Sequence, residues 1–267
     1  MKSEDPQTLA GYSQTERQTW ITTCILEQGA VQVDELAELF QVSRMTIHRD
    51  LDDLEMQGVL RKVRNGATAL PSSLFESDLR FRQNQSQKEK DAMARAALAY
   101  IETGQAIFLD EASTLLPLVR MLPALAPLTV ITNFLPIMTE VSNYKDIHLI
   151  TLGGEYLPRF ATFTGLLTER TMESLHADLY ITSTTAVFKG VAYHPDQQVV
   201  RVKKAMISHS THQFLLTDHT KFGKTALHEV APLSAFERVI VDQGIAPEYL
   251  VNLEAMGVKV DVSPFGE

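Results

Sequence analysis

The chain has 267 residues, is 45% hydrophobic and carries a formal net charge of −9, so it can bury a sizeable core and is no indiscriminate polyanion coat. One cysteine excludes an internal disulfide, and no apolar run approaches the eighteen or so residues that cross a bilayer. The opening stretch MKSEDPQTLAGYSQTERQ lacks the apolar segment of a signal peptide, so a cytoplasmic protein with no membrane partner is expected.

The first part of the chain reads as helical. In TERQTWITTCILEQG, Trp20, Ile21, Cys24 and Ile25 share a helix face and Gly29 ends it. VDELAELF follows, with Asp34 as its expected N-cap. Gln41 and Val42 make a short turn, and Ser43 is placed to cap a third helix that runs to about Gln57 and stops at Gly58. In VLRKVRNGATAL, Asn65-Gly66 between short apolar stretches signals a β-hairpin. Three short helices closed by a hairpin make a winged helix-turn-helix, expected over residues 1–70. On the third helix, a rotation of about 100° per residue puts Ile47, Leu51 and Leu54 on the packing face. Ser43, Arg44, Met45, Thr46, His48 and Arg49 form its early, outward part, the part that enters a DNA major groove in such domains. Arg61, Lys62 and Arg64 lead into the hairpin turn and suit phosphate contacts. The acids Asp50, Asp52, Asp53 and Glu55 come later, and Asp52 and Asp53 are expected to pair with basic groups of the wing.

The polar stretch PSSLFESDLRFRQNQSQKEK is expected to be a linker over 71–90, with some order near Phe75 and Phe81 and a helix starting near Gln87. From 91 to 267 apolar strands alternate with helices: AIFLD, LTVIT, IHLITL, DLYITS, QFLLTD, RVIVD and VKVDV. That alternation predicts an α/β domain with a mostly parallel sheet covered on both faces, whose ligand binds at the carboxyl ends of the strands. Those ends are polar: Asp110 with Ser113 and Thr114 opening a helix, Thr132 and Asn133, Gly153 and Gly154, Ser183 with Thr184 and Thr185, then Asp218 and Lys221. Lys203 and Lys204 lie in the helix before the fifth strand. Hydroxyls, amide and carboxylates suit sugar hydroxyls, and lysines with a helix start suit a phosphate. Each also has a plainer role: Ser113, Thr114 and Asp218 as caps, the glycine pair as a turn, Lys204 as a surface lysine. The histidines have no metal-ligand spacing, and no metal or cofactor is expected.

VDELAELFQVSRMTIHRDLDDLEMQGVLRKVRNGA resembles the N-terminal domain of the DeoR family of bacterial transcriptional regulators. FLDEAST resembles that family's LDxGST loop, and TVITN, LGGEY, VKKAMI and DHTKFGK resemble its later motifs in the same order. The resemblance implies a repressor of sugar or polyol catabolism genes, relieved by a phosphorylated sugar or polyol bound to a C-terminal domain similar in fold to ribose-5-phosphate isomerases. It implies a homo-oligomer, dimer or tetramer, on operator DNA, and it places the motif lysine at Lys203. Three positions depart from the pattern: His48 for the usual arginine, Glu111-Ala112 within LDxGST, and Ser183-Thr184-Thr185 for a glycine-rich stretch. A carboxylate beside a phosphate site repels it, so Glu111 is expected either to point out of the pocket or to meet sugar hydroxyls. The alternative reading is an isomerase-like enzyme using the Asp/Lys pairs as acid and base.

Overall fold

The computed structural model describes residues 9, 11–56, 59–69 and 79–265. They divide into two compact units, Met1–Asp78 and Leu79–Glu267.

In the first unit, helix α1 (Gln14–Gln28) opens on a capping box: Ser13 Oγ accepts from Glu16 N, and the Glu16 carboxylate accepts from Ser13 N. Gly29, at φ 80, closes it in the left-handed conformation that glycine adopts freely. A short strand β1 (Ala30–Gln32) precedes α2 (Val33–Phe40). The N-cap of α2 is Gln32 and gives no side-chain hydrogen bond, so Asp34 does not cap it; it lies inside the first turn and pairs with Arg44. Ser43 does cap α3 (Arg44–Met56), accepting from Thr46 N at 3.1 Å. Gln57 and Gly58, the expected end of that helix, lie outside the described residues.

The hairpin pairs β2 (Leu60–Val63) with β3 (Gly66–Ala69) around Arg64 and Asn65, the latter at φ 67. Gly66 is therefore a strand residue, not the turn. Strand β1 adds antiparallel to β3, and a Cβ on Gly66 would stand 2.1 Å from the Val31 carbonyl oxygen. The core joins Ile21, Ile25, Val33, Leu36, Phe40, Ile47, Leu51, Leu54 and Leu60, each fully buried side chain contributing about 1.5–3 kcal/mol.

The second unit starts earlier than the sequence suggests. Residues 79–90 are not linker: they form helix α4 (Leu79–Asn84) and the first turn of α5 (Gln87–Leu98), and Leu79 joins the unit's core. Phe75 lies outside the described residues, as does the side chain of Phe81. The chain continues as β4 (Ala106–Leu109), α6 (Leu116–Met121), β5 (Leu128–Thr132), α7 (Leu135–Val141) and β6 (Ile147–Thr151). A hairpin of β7 (Glu155–Leu157) and β8 (Thr162–Thr164), which periodicity alone does not reveal, leads to α8 (Leu166–Glu173) and β9 (Ala177–Ser183). Then come β10 (Ala186–Phe188), β11 (Val191–His194), α9 (Gln197–Ser208), β12 (Ser210–Leu216), β13 (His228–Pro232), β14 (Arg238–Asp242), α10 (Pro247–Ala255) and β15 (Val260–Ser263).

Seven of these strands form one parallel sheet in the order β15-β14-β12-β9-β4-β5-β6, and β10, β11 and β13 form a separate antiparallel sheet. From β4 the chain winds outward through β5 to β6, then returns to β9 on the other side of β4. The strand order therefore reverses between β4 and β9, the place where open α/β sheets bind ligands. Period-2 alternation sets the layers. Ile107, Leu109, Leu179 and Ile181 pack with Met93, Ala94, Ala97, Leu115 and Leu118 of α5 and the α6 region. Phe108 and Tyr180 face the other way, against Met172 of α8 and Val202 and Met206 of α9.

In the first unit, Arg17 of α1 grips Asp50 of α3 with Nε–Oδ2 2.8 Å and Nη2–Oδ1 3.2 Å, both residues buried, while Arg17 Nη1 donates to Tyr12 O. Breaking such a pair leaves an uncompensated buried charge. Asp50→Ala is expected to destabilise this unit by about 3–5 kcal/mol, whereas Arg17→Met combined with Asp50→Leu costs far less. Urea unfolding followed by the fluorescence of Trp20, the chain's one tryptophan, packed edge-on to Phe40, checks this within the first unit.

Candidate functional site

The first unit presents exposed polar and cationic groups on its third helix and wing. Ser43, Arg44, Met45 and Arg49 are exposed, Thr46 and His48 half-buried. Met45, 62% exposed, offers an apolar tip of the kind that meets thymine methyls. Arg49, Arg61 and Arg64 are exposed and have no ion-pair partner among the described residues. Arg44 pairs with Asp34 at 2.8 Å with both side chains 60% exposed, a contact weak enough to exchange. Lys62 differs from its wing neighbours: its Nζ lies 2.5 Å from Asp52 and its backbone N donates to Glu55.

The acids of α3 are thus all engaged inside the unit. Asp50 holds Arg17, Asp52 holds Lys62, and Glu55 takes the Lys62 amide. Asp53 accepts from Gln14 and Gln18 of α1 rather than from the wing.

In the second unit, alternation puts Asp110, Tyr180 and Thr182 on the sheet face that α9 covers. There Asp110 Oδ2 accepts from Tyr180 Oη at 2.5 Å, Thr182 Oγ1 at 2.7 Å and Lys203 Nζ at 2.7 Å, all four residues buried. Asp110 Oδ1 has no hydrogen-bond partner among the described residues. Burial alone would push the Lys203 ammonium down, but the Asp110 and Glu111 carboxylates beside it hold it up. Burial and the Asp110 charge push the Tyr180 phenol far up, so it stays a donor.

Glu111 does not point out of the pocket. It is 2% exposed, with Oε1 3.0 Å from Lys203 Nζ and Oε2 3.3 Å from Arg82 Nη1. His194 Nε2 lies 3.5 Å from Glu111 Oε1, too long for a good hydrogen bond. His194 Nδ1 accepts from Asp196 N, which assigns the proton to Nε2. Burial, then the Lys203 and Arg82 cations, push this imidazole well below its ordinary range, so it is neutral.

Arg82 and Lys90, which sequence reading leaves in the linker, belong to this cluster. Lys90 Nζ donates to the Arg82 carbonyl and lies 3.3 Å from Ser113 Oγ, which also donates to that carbonyl. Lys90 is 3% exposed. Burial, then the Lys221 cation, push its ammonium down to about 8, against the opposing pull of Asp218. Lys221 is half-buried; its backbone N donates to Asp218 O, and its ammonium has no hydrogen-bond or ion-pair partner among the described residues. Helical spacing could have flagged Lys90, which lies three and four residues before the buried Met93 and Ala94.

Other expected site residues have structural partners. Thr114 accepts from Ser183 Oγ at 3.2 Å, and Thr184 donates to Tyr193 O at 2.7 Å. Asp218 caps the following turn through Thr220 N. Thr132 Oγ1 accepts from Phe134 N, and Asn133 Nδ2 donates to Phe163 O, tying β8 to the sheet, with Asn133 Oδ1 left unpartnered among the described residues. Gly153 O accepts from Thr168, and a Cβ on Gly154 would stand 2.2 Å from Thr168 Oγ1. Gly154 therefore permits the close approach of Thr164 in β8 and Thr168 in α8, whereas a Cβ on Gly153 would meet open space. Lys204 is exposed. His219 is held by Asp242, Nδ1 to Oδ1 2.8 Å. An open groove lined by Lys145, Asp146 and His148 lies at the amino ends of β5 and β6, the opposite edge from these charges.

Comparisons with known proteins agree on the family. A model of the DeoR-like helix-turn-helix domain matches residues 17–73, and a model of the DeoR C-terminal sensor domain matches residues 85–243. The HTH-type transcriptional regulator YulB of Bacillus subtilis is 32% identical over 94% of this chain and 98% of its own. The glycerol-3-phosphate regulon repressor of Escherichia coli K12 is 31% identical over 86% of this chain and 91% of its own. Among solved structures, ribose 5-phosphate isomerase A of Methanocaldococcus jannaschii aligns loosely, with 16% identity over 50% of this chain and 53% of that one at a TM-score of 0.37, a likeness from which no activity follows. Matched over both of its units, the chain belongs to the DeoR family of DNA-binding transcriptional regulators and is not an enzyme.

Proposed function

We propose that the protein is a cytoplasmic repressor of sugar or polyol catabolism genes that binds its operator as a homo-oligomer and is relieved by a phosphorylated sugar or polyol. One observation carries the effector half of this reading. At the point where the strand order reverses, Asp110, Lys203, Ser113 and Lys90 are buried together, and the charge of Lys221 acts on Lys90. Asp110 Oδ1, buried and unpartnered, takes a sugar hydroxyl. The Lys203 ammonium is already ringed by Asp110, Glu111, Thr182 and the Ser183 carbonyl, so the phosphate falls to Lys90 and Lys221. The helix that follows is too short to add much: a single 3-10 turn and the six residues of α6.

In the DNA half, Ser43, Arg44, Met45, Thr46, His48 and Arg49 read the major groove while Arg61 and Arg64 hold phosphates. Lys62 contributes less, because Asp52 already holds it. Relief of repression requires the effector to prefer the arrangement with weak DNA affinity, with a coupling of roughly 1–3 kcal/mol.

Arg49→Ala is expected to weaken binding to a duplex that the wild-type chain selects from random sequence by about 1–3 kcal/mol. Lys62→Ala weakens it by less than Arg61→Ala. Fluorescence anisotropy measures all three, and an unchanged affinity for Arg49→Ala refutes its role.

A thermal-shift screen of sugar and polyol phosphates tests the effector half. Stabilisation without turnover supports it. Lys221→Ala leaves DNA affinity intact and shrinks the shift, and an unaltered ligand titration contradicts the assignment.

Binding should also depend on pH. A phosphate monoester is already almost doubly charged above pH 7, whereas Lys90, facing Lys221, Asp218, Arg82, Glu89 and Ser113, loses its proton near 8. Affinity for the best ligand of the screen then falls by about tenfold between pH 7.5 and pH 9.5. A flat profile over that range removes Lys90 from the site.

A further inference from the structure

Glu111 occupies a defined electrostatic position. Its two oxygens divide between Arg82, at 3.3 and 3.4 Å, and Lys203, at 3.0 Å. The run Asp110, Lys203, Glu111, Arg82 alternates in sign and lies inside the unit, with Arg82 the least buried at 13% side-chain exposure. Two cations within reach of one small anion, one of them a guanidinium fork, form the arrangement that binds a carboxylate or a phosphate equally well. In this chain that anion is covalently part of the protein.

We propose that Glu111 is a specificity-determining residue that fills an anion seat formed by Arg82 and Lys203, limiting the site to ligands with one anionic group, seated at Lys90 and Lys221. The inference rests on the effector reading above and adds what that site excludes. Ligands with a second phosphate or a carboxylate at the Asp110 end meet an occupied seat and a repelling charge, while neutral hydroxyls there meet acceptors. Removing the Glu111 charge while keeping its shape opens the seat. Lys203 then keeps Asp110 as its buried counter-ion while Arg82 loses its Glu111 partner, which is costly until an anion enters.

The test uses the full chain, the isosteric variant Glu111→Gln and inorganic phosphate as probe, with chloride at equal ionic strength as control. Glu111→Gln is expected to melt lower than wild type in chloride, and phosphate is expected to raise its melting temperature more than it raises that of wild type. Its apparent phosphate affinity is about tenfold or more above wild type, the scale of a hydrogen-bonded charge contact. Should Glu111→Gln fail to fold in chloride, recovery in phosphate is the same result; failure in both overturns the proposal. The double variant Arg82→Gln with Glu111→Gln removes a cation with the anion, and its phosphate response should return to the wild-type level. A gain that persists in the double variant overturns the assignment of the seat. Equal responses of wild type and Glu111→Gln overturn the role of Glu111 while leaving the effector reading intact. A response in Glu111→Gln alone supports the seat and counts against a phosphate site at Lys90 and Lys221. No response in either chain overturns both.

Discussion

The buried charges at the switch point of the second unit are arranged around one ammonium, that of Lys203. A lysine there is tolerable only with counter-ions at hand, because desolvating a charge without a partner costs several kcal/mol. Asp110 supplies one from the end of β4 and Glu111 the next. Asp110 is in turn fixed by Tyr180 and Thr182 from β9, and Glu111 fixes Arg82 of α4. The pair thus ties together the two strands between which the sheet reverses, the helix that covers one face, and the first helix of the unit. Such a cluster has few arrangements of comparable energy, which suits a sensor that answers a ligand by switching rather than by gradual deformation.

The first unit solves the opposite problem, keeping a positive surface on an acidic chain. Its recognition helix carries Asp50, Asp52, Asp53 and Glu55, yet each acid is engaged by Arg17, Lys62 or the α1 glutamines. What is left outward is Arg49 with Met45 and, on the wing, Arg61 and Arg64. Screening confines charge effects to about 10 Å at ordinary salt, so the formal charge of −9 has little bearing on this face. The acids hold the helix in place, and Arg49, Arg61 and Arg64 stay exposed without an ion-pair partner among the described residues.

Much of this was legible in the sequence, and what escaped did so for a common reason. Hydrophobic period placed the seven strands, the three N-terminal helices and the hairpin, and Ser43 capped α3 as its hydroxyl suggests. Strand-end polarity found Asp110, and the family motif found Lys203. Local pattern could not find Arg82, which stands in a polar stretch whose composition reads as solvent-facing. Nor could it find the Arg17–Asp50 pair, 33 residues apart, or the contact of Tyr180 with Asp110 at 70. These are long-range electrostatic choices, invisible to any window of neighbouring residues. The expectation that Glu111 points outward or meets sugar hydroxyls leaves out the Arg82 and Lys203 cations that flank it. Nor does a glycine pair in sequence show which close approach it permits: at Gly154 it is that of Thr164 and Thr168.

Ligand occupancy at the sheet's switch point should change DNA binding. The direct measurement is fluorescence anisotropy of the full chain on its selected duplex, titrated with a stabilising sugar phosphate and with the same sugar unphosphorylated. The phosphorylated form should weaken DNA binding by about 5- to 150-fold, the unphosphorylated form should not, and Lys90→Met should abolish the difference. DNA affinity that is the same with and without bound ligand would contradict the account.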